Sequence, residues 1–257
     1  ETTILLPDLK EQGRVVKDTF GASLIDLGDG IACFEIHTKM NTIDDDVISM
    51  VSDCVDEVEQ NFEGMVISGH DENFSLGANL GLVLMASKMG NWEVLDEMVR
   101  KMQQSHMRIK YAKKPVVGAP FGMALGGGCE INLHCARIQP YAELYMGLVE
   151  VGVGVIPAAG GTTQAVVRAL AHIPTDFAVP RMPYLQRCFE TLGLAKVSRS
   201  AEEARSLGFL RAADRVTLSR DRLIHDAKQV ALGLARAGYK PPLSPDNLVL
   251  PGRNGSA

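Results

Sequence analysis

A glycine-rich stretch constrains the fold of this chain more than any other segment: residues 124–130 read ALGGGCE. The stretch follows a short apolar run at 116–119, which predicts a buried strand, and leads into a short helix from Cys129. Glycine lets a ligand approach the backbone closely, and the first turn of a helix offers N–H groups without acceptors. The stretch therefore predicts either a tight strand-to-helix turn or a cradle for developing negative charge. It matches neither GxxxxGK[ST] nor GxGxxG, the patterns of phosphate and dinucleotide loops.

The hydrophobic pattern divides the chain into four parts. Strands and helices alternate over residues 23–172, which predicts an α/β core. The part that follows, 173–240, has mostly helical spacing, and we expect a helical C-terminal region there. Residues 1–22 are polar and mixed, which predicts an irregular N-terminal arm. Residues 241–257 end in PGRNGSA, a composition typical of a tail or linker.

Two glutamates are notable for their position. Glu130 follows the glycine run after Cys129, on the first turn of the predicted helix, and Glu150 lies in the otherwise uncharged run GLVEVGVG at 147–154. Burying an unpaired carboxylate is costly and raises its affinity for a proton. Each carboxylate therefore either borders a pocket, where it suits acid–base chemistry, or accepts structural hydrogen bonds from the backbone. The residue pattern alone leaves both interpretations open.

Charge and spacing argue against several classes of function. The 31 acidic and 26 basic residues give a net charge of −5, which does not suggest a nucleic-acid binder. Apolar runs fall short of the about 18 residues of a membrane helix, so we expect no membrane partner. The 6 His lack HExxH or other ligand spacing, so no metal is expected. The 5 Cys contain no CxxC pair; we expect buried reduced thiols and a cytoplasmic location.

Three motifs in order resemble the enoyl-CoA hydratase/isomerase (crotonase) superfamily. They are FSLGANL at 74–80, KPVVGAPFGMALGGGCE at 114–130 and VEVGVGVIPAAGG at 149–161. The resemblance covers residues 23–237 and implies an α/β fold, a crotonase-type spiral of β-β-α units with a helical C-terminal region. Two departures from the family pattern are Asn79, where Asp is usual, and Val149, where Pro often precedes the second glutamate.

The resemblance also implies roles for single residues. The backbone N–H groups of Ala78 and Gly127 would form an oxyanion hole for the thioester carbonyl of an acyl-CoA substrate. Glu130 would activate water for attack on the β-carbon, and Glu150 would give the proton to the α-carbon. The other positions expected to contact substrate are Met40, Gly77, Asn79, Leu80, Gly126 and Pro157.

Two glutamates at these positions favour an enoyl-CoA hydratase of fatty acid β-oxidation, which adds water reversibly to a 2-enoyl-CoA and needs no cofactor. The alternatives are an enoyl-CoA isomerase or another enolate-forming enzyme and, from another class, a non-catalytic acyl-CoA-binding module. The family implies a homo-oligomer, a trimer or hexamer. The alternative is a module fused to a 3-hydroxyacyl-CoA dehydrogenase, because the missing initial Met, the arm at 1–22 and the linker-like tail resemble bacterial proteins of that kind. Residues 81–104 lie where the family varies with acyl chain, so the substrate's length stays open.

Overall fold

The computed structural model describes residues 3–171, 173–174, 179–244, 250 and 252. The first elements are α1 (Leu6–Glu11), β1 (Val15–Asp18), β2 (Ala22–Asp26), β3 (Ile31–Ile36), β4 (Thr42–Ile43), α2 (Asp45–Asn61) and β5 (Gly64–Ser68). The middle contains β6 (Gly77–Ala78), α3 (Leu80–Lys88), α4 (Trp92–Lys110), β7 (Val116–Gly118), β8 (Gly122–Leu125), α5 (Gly127–His134), β9 (Arg137–Ile138) and β10 (Leu144–Gly147). The last helices are α6 (Gly161–Leu170), α7 (Met182–Gly193), α8 (Ala201–Ser206) and α9 (Leu223–Arg236).

A six-stranded sheet in the order β1-β2-β3-β5-β7-β9 forms the centre of the fold. The pairs β1–β2 and β2–β3 are antiparallel, and the remaining pairs are parallel. Every residue of β3 and β5 is buried, because α2 and α9 both pack against these strands. The parallel strands β5 and β7 end at the same edge of the sheet, and the segments leading to β6 and to α5 leave from that edge. The topology therefore brings two of the sequence motifs together.

Two small parallel sheets, β4–β6 and β8–β10, lie beyond that edge. The first pairs Thr42 with Gly77, and the second pairs Leu125 with Gly147. After one or two residues, each short strand is followed by a helix or a helical turn: β4 by α2, β6 by α3, β8 by α5, and β10 by the 3-10 turn Glu150–Val153. The ends of these short strands therefore carry all three motifs of the sequence.

The prediction of an irregular arm over 1–22 is wrong for most of its described residues. Leu6, at the start of α1, is fully buried, and β1 pairs with β2 at the edge of the main sheet. The polar composition of this segment did not indicate a strand, because β1 alternates half-buried and exposed residues and therefore has no apolar run. One fully buried residue, Leu6, lies at the start of a helix whose other residues contact solvent.

The C-terminal region is helical, as predicted, in α7, α8 and α9. Most of the predicted tail over 241–257 lies outside the described residues. All five cysteines are free, with four buried and Cys188 half-buried. Across the described residues, no helix combines the length and the apolarity that crossing a membrane requires.

Candidate active site

Two glycine backbones touch at the start of α5. A Cβ placed on Gly77, whose φ is +85°, would lie 2.7 Å from the nitrogen of Gly127 and 2.9 Å from the oxygen of Leu125. A Cβ placed on Gly127 would lie 3.6 Å from the nitrogen of Ala78. Gly127 is the first residue of α5, where a helix offers an N–H that its own turns cannot satisfy. The structure thus brings the backbone nitrogens of Ala78 and Gly127 close to one another.

Ser75 fixes the loop that carries Gly77 and Ala78. Its hydroxyl donates to the carbonyl of Asn41 at 2.6 Å and accepts from the N–H of Gly77 at 3.1 Å. Its own carbonyl accepts from the N–H of Leu125 at 3.0 Å. Because Ser75 is fully buried, these bonds tie the loop to β4 on one side and to β8 on the other.

Glu130 lies on the first turn of α5 with only 2% of its surface exposed. Its Oε1 accepts the N–H of Gly161, the first residue of α6, at 2.8 Å. Burial, together with the negative charge of Glu150, raises the pKa of Glu130 to about 7, although backbone hydrogen bonds from Gly161 and Ala159 act in the opposite direction. Both protonation states of this carboxyl are therefore accessible near neutral pH, as acid–base chemistry requires.

Glu150 begins the 3-10 turn Glu150–Val153 and faces the backbone of Gly126. A Cβ on Gly126, whose φ is +54°, would lie 3.4 Å from Glu150 Oε1. Glu150 Oε2 is buried and has no hydrogen-bond partner among the described residues. Burial raises the pKa of this carboxyl too. Since buried polar atoms are normally hydrogen-bonded, the free oxygen indicates a place for a ligand or a water.

The remaining predicted site residues differ in exposure and in the contacts they make. Asn79 is the N-cap of α3 and accepts the N–H of Gly81 at 3.0 Å, so its side chain is engaged in capping. Leu80, the first residue of α3, is 47% exposed, and Met40 is 59% exposed with its carbonyl on the N–H of Leu76. Pro157 is buried at the start of the turn before α6.

A family model decides the classification of the chain. Residues 27–178, more than half of the sequence, match the model described as Enoyl-CoA hydratase/isomerase. The chain belongs to this family.

Curated relatives of this family member are longer proteins. A Bacillus subtilis (strain 168) protein, described as a probable 3-hydroxyacyl-CoA dehydrogenase, is 44% identical over 256 residues, 99% of this chain and 31% of the relative. A peroxisomal fatty acid β-oxidation multifunctional protein of Arabidopsis thaliana is 30% identical over 189 residues, 72% of this chain and 24% of the relative. The chain thus spans less than a third of either relative.

Solved structures share the fold of this hydratase/isomerase family member. The crystal structure of an enoyl-CoA hydratase from Polaromonas sp. JS666 superposes with a TM-score of 0.70 at 19% identity, covering 83% of this chain and 77% of that one. An enoyl-CoA hydratase from Bacillus anthracis has a TM-score of 0.64 at 21% identity, covering 85% and 76%. The crotonase-type α/β fold predicted from the motifs is confirmed.

An apolar cavity of about 340 Å³ lies between α3 and α4 of this family member. Its apolar lining comes from Leu82, Met85, Met89, Val94, Leu95 and Met98. Every residue of α3 and the three lining residues of α4 are at least partly exposed, so these side chains are not part of the core. Methionine and leucine on an open surface suit a flexible apolar ligand.

Two buried histidines near Glu130 were not predicted from the sequence. His134 Nδ1 lies 2.7 Å from the carbonyl oxygen of Glu130, and His106 Nδ1 lies 3.0 Å from that of Ala159. Burial lowers the pKa of His106 to about 4 and that of His134 to about 3, so both imidazoles are neutral at pH 7. One signal was present in the sequence: His134 follows Glu130 by four residues, which places both on one helix face.

We expect His106→Asn to remove part of the acid sensitivity of the fold. An unfolded histidine binds a proton near pH 6.5, whereas folded His106 does so only near 4. The unfolded state therefore binds more protons as the pH falls, and His106 lowers the free energy of unfolding by about 3 kcal/mol between pH 7 and pH 4. Urea unfolding at several pH values would measure the free energy of unfolding of the variant and of the wild type. Subtracting one from the other cancels the contributions of the other titrating groups, which the two proteins share. Exposed His70→Asn is the control, and equal acid slopes for His106→Asn and the wild type would contradict the expectation.

Proposed function

We propose that the chain is an enoyl-CoA hydratase, which adds water reversibly to a 2-enoyl-CoA and forms a 3-hydroxyacyl-CoA. One observation carries the proposal: two carboxyls of raised pKa, Glu130 and Glu150, lie beside the Gly126–Gly127 backbone. A pure binding module has no need of two buried carboxyls there, because burying them destabilises the fold. Acid–base chemistry on a bound substrate explains why the chain keeps two buried carboxyls although they destabilise the fold.

The thioester carbonyl of the substrate would accept hydrogen bonds from the N–H groups of Ala78 and Gly127. Negative charge moves onto that oxygen when a nucleophile attacks the β-carbon, and fixed donors stabilise the charge without reorganising. The positive end of the α5 dipole acts in the same direction at Gly127. The close approach of the backbone explains why a side chain is missing at position 77, and a Cβ on Gly127 would lie 2.6 Å from Met102 Cε.

The two glutamates would divide the proton transfers. The water oxygen bonds to the β-carbon while its proton moves to the carboxylate of Glu130, and the α-carbon takes a proton from the carboxyl of Glu150. Glu130 then passes the proton it took from water to Glu150. Both carboxyls regain their starting protonation states, so water alone is consumed. This division needs one proton on the pair, and the charge of Glu150 is one cause of the raised pKa of Glu130. Mutual repulsion thus favours one shared proton over two negative charges.

The acyl chain would lie along the apolar cavity between α3 and α4. The product class fits the longer relatives, because the Bacillus subtilis relative is described as a probable 3-hydroxyacyl-CoA dehydrogenase, an enzyme whose substrate is a 3-hydroxyacyl-CoA. We infer that this chain works beside a 3-hydroxyacyl-CoA dehydrogenase region, which oxidises what the hydratase forms.

The test is the absorbance of the conjugated enoyl thioester, with crotonyl-CoA and with a decenoyl-CoA. We expect the wild type to remove the band, and Glu150→Gln to do so roughly 10²–10⁴-fold more slowly, since it cannot donate the proton. Glu143→Gln, an exposed glutamate just before β10, is the matched control and should behave as the wild type. The ratio of the two rates reports the chain-length preference.

Other outcomes would overturn the hydratase proposal. A band that persists with both substrates excludes hydration. If a 3-enoyl-CoA then gains the conjugated band, the chain is an isomerase. If calorimetry shows that acyl-CoA binds and no product forms, the chain is a binding module.

A further inference from the structure

Helix α4 holds the turn before α6 with two side chains. Gln103 Nε2 donates to the carbonyl of Ala158 at 2.6 Å, and His106 Nδ1 lies 3.0 Å from the carbonyl of Ala159. The two residues are three positions apart and therefore lie on one face of the helix. Because a carbonyl oxygen only accepts hydrogen bonds, the proton of the neutral His106 ring is on Nδ1. His106 Nε2 is buried and without a partner among the described residues.

His134, on α5, lies against the same turn. Its Nδ1 lies 2.7 Å from the carbonyl of Glu130, so this ring also carries its proton on Nδ1. A Cβ on Gly160, whose φ is +102°, would lie 2.9 Å from His134 Nε2, so the ring fills the space directly under the turn. The centroids of the two imidazoles lie 5.1 Å apart with the ring planes tilted by 37°, and the exposed fractions are 1% for His106 and 2% for His134.

The turn before α6 ends at an N–H group that donates a hydrogen bond to Glu130. The N–H of Gly161 binds Glu130 Oε1 at 2.8 Å, two residues after the carbonyl that His106 holds. The main-chain carbonyl of Glu130 is held by His134. One imidazole therefore fixes the backbone of Glu130, and the other fixes the turn whose N–H holds its carboxylate.

We propose that His106 and His134 are positioning residues for Glu130, and that they work as a pair of neutral Nδ1–H donors which keep the Gly161 N–H on the carboxylate. The proposal rests on the hydratase function, in which Glu130 must be ionised to accept the proton of water. Loss of either imidazole donor lets the turn before α6 move. The Gly161 N–H then no longer stabilises the ionised carboxylate of Glu130.

The charged groups around the pair favour neutral rings. Lys110 faces His134 from α4 and donates to Gln164 Oε1 at 3.0 Å. Arg168 faces it from α6 and donates to the carbonyls of Leu133 and Phe209. The Glu130 carboxyl is the acidic group on the same helix, and near pH 7 it is only partly ionised. A second proton on His106 would go to Nε2, where the described residues offer no acceptor.

The test compares His→Leu with His→Asn at both positions. Leucine removes the donor, whereas asparagine can present an N–H where Nδ1 stood. We expect each Leu variant to lower kcat for crotonyl-CoA roughly tenfold or more, with KM changed less than about threefold, because substrate contacts remain. The acid limb of kcat/KM should move to higher pH, since the ionised form of Glu130 loses a hydrogen bond. Each Asn variant should restore both quantities towards the wild type.

Val55→Ala, in the buried face of α2, separates positioning from simple destabilisation. It should lower the melting temperature and leave the acid limb in place. Leu variants with a wild-type acid limb, or Asn variants that behave as the Leu variants do, would overturn the proposal. A wild type without hydratase activity would overturn the proposed function instead. Carboxyl ¹³C NMR would then still decide the inference: identical titration of Glu130 in the wild type and the Leu variants would disprove it.

Discussion

Replacing Glu130 by Gln is expected to lower kcat for crotonyl-CoA hydration by roughly 10²–10⁴-fold, the usual contribution of a positioned general base. The amide has nearly the same shape as the carboxylate, and its oxygen can still accept the Gly161 N–H, which lies 2.8 Å from Oε1. It cannot take a proton from water. KM should change little, because the nitrogens of Ala78 and Gly127 stay where they are. Steady-state kinetics on the enoyl band would measure both constants.

The same substitution should make the fold more stable above neutral pH. The pKa of Glu130 is raised to about 7, from about 4.5 in an unfolded chain, so its contribution to stability is complete below pH 4.5 and is lost as the pH rises through 7. At pH 8 the wild type keeps a buried charge that Gln lacks, and we expect Glu130→Gln to raise the free energy of unfolding by as much as about 3 kcal/mol. Urea unfolding at pH 5 and pH 8 would measure it. A variant as active as the wild type would contradict the assignment of Glu130 as base, and a variant less stable than the wild type at pH 8 would contradict the raised pKa of its carboxyl.

Hydrophobic spacing predicted the central elements because their burial is regular. All residues of β3 and β5 are buried, and α2 buries Val47, Met50, Val51, Cys54, Val55 and Val58 at helical spacing. The backbone just before α2 is less regular. Residues Lys39–Asn41 form a 3-10 turn with positive φ at Met40 and Asn41, and the side chain of Asp44 caps the helix. Periodicity does not report such local backbone conformations.

Most of the predicted site residues lie within the three motifs that carry the family resemblance. Gly126, Gly127 and Glu130 lie within one short segment, and the structure places Glu150 against Gly126. The contact from His106 to Ala159 joins residues 53 positions apart, and it is a side-chain bond to a carbonyl, which has no signature in sequence. The N–H of Gly161 was missed for a similar reason. Such supporting contacts depend on how α4, α5 and α6 pack, which local patterns do not determine.

Replacing Gly77 by Ala is expected to lower kcat/KM by roughly 10²–10³-fold, as losing an oxyanion donor does, although no functional group is removed. The new methyl would lie 2.7 Å from the nitrogen of Gly127 and 2.9 Å from the oxygen of Leu125. Both are backbone atoms, so the strand β6 must move away from α5 and carry the N–H of Ala78 with it. The φ of +85° adds strain for any residue with a Cβ.

The control variant Gly13→Ala distinguishes the loss of kcat/KM expected for Gly77→Ala from the effect of backbone strain alone. Gly13 has a φ of +71° in the turn between α1 and β1, and a Cβ there would have no atom within 4 Å. Both substitutions should therefore cost about 1–2 kcal/mol of stability through the left-handed backbone, but only Gly77→Ala displaces a donor. We expect Gly13→Ala to keep wild-type kcat/KM in the crotonyl-CoA assay, with melting temperatures recorded for both. Equal activities of the two variants would mean that the substrate carbonyl is not held between Ala78 and Gly127, because moving one of two paired donors must weaken binding of the developing negative charge.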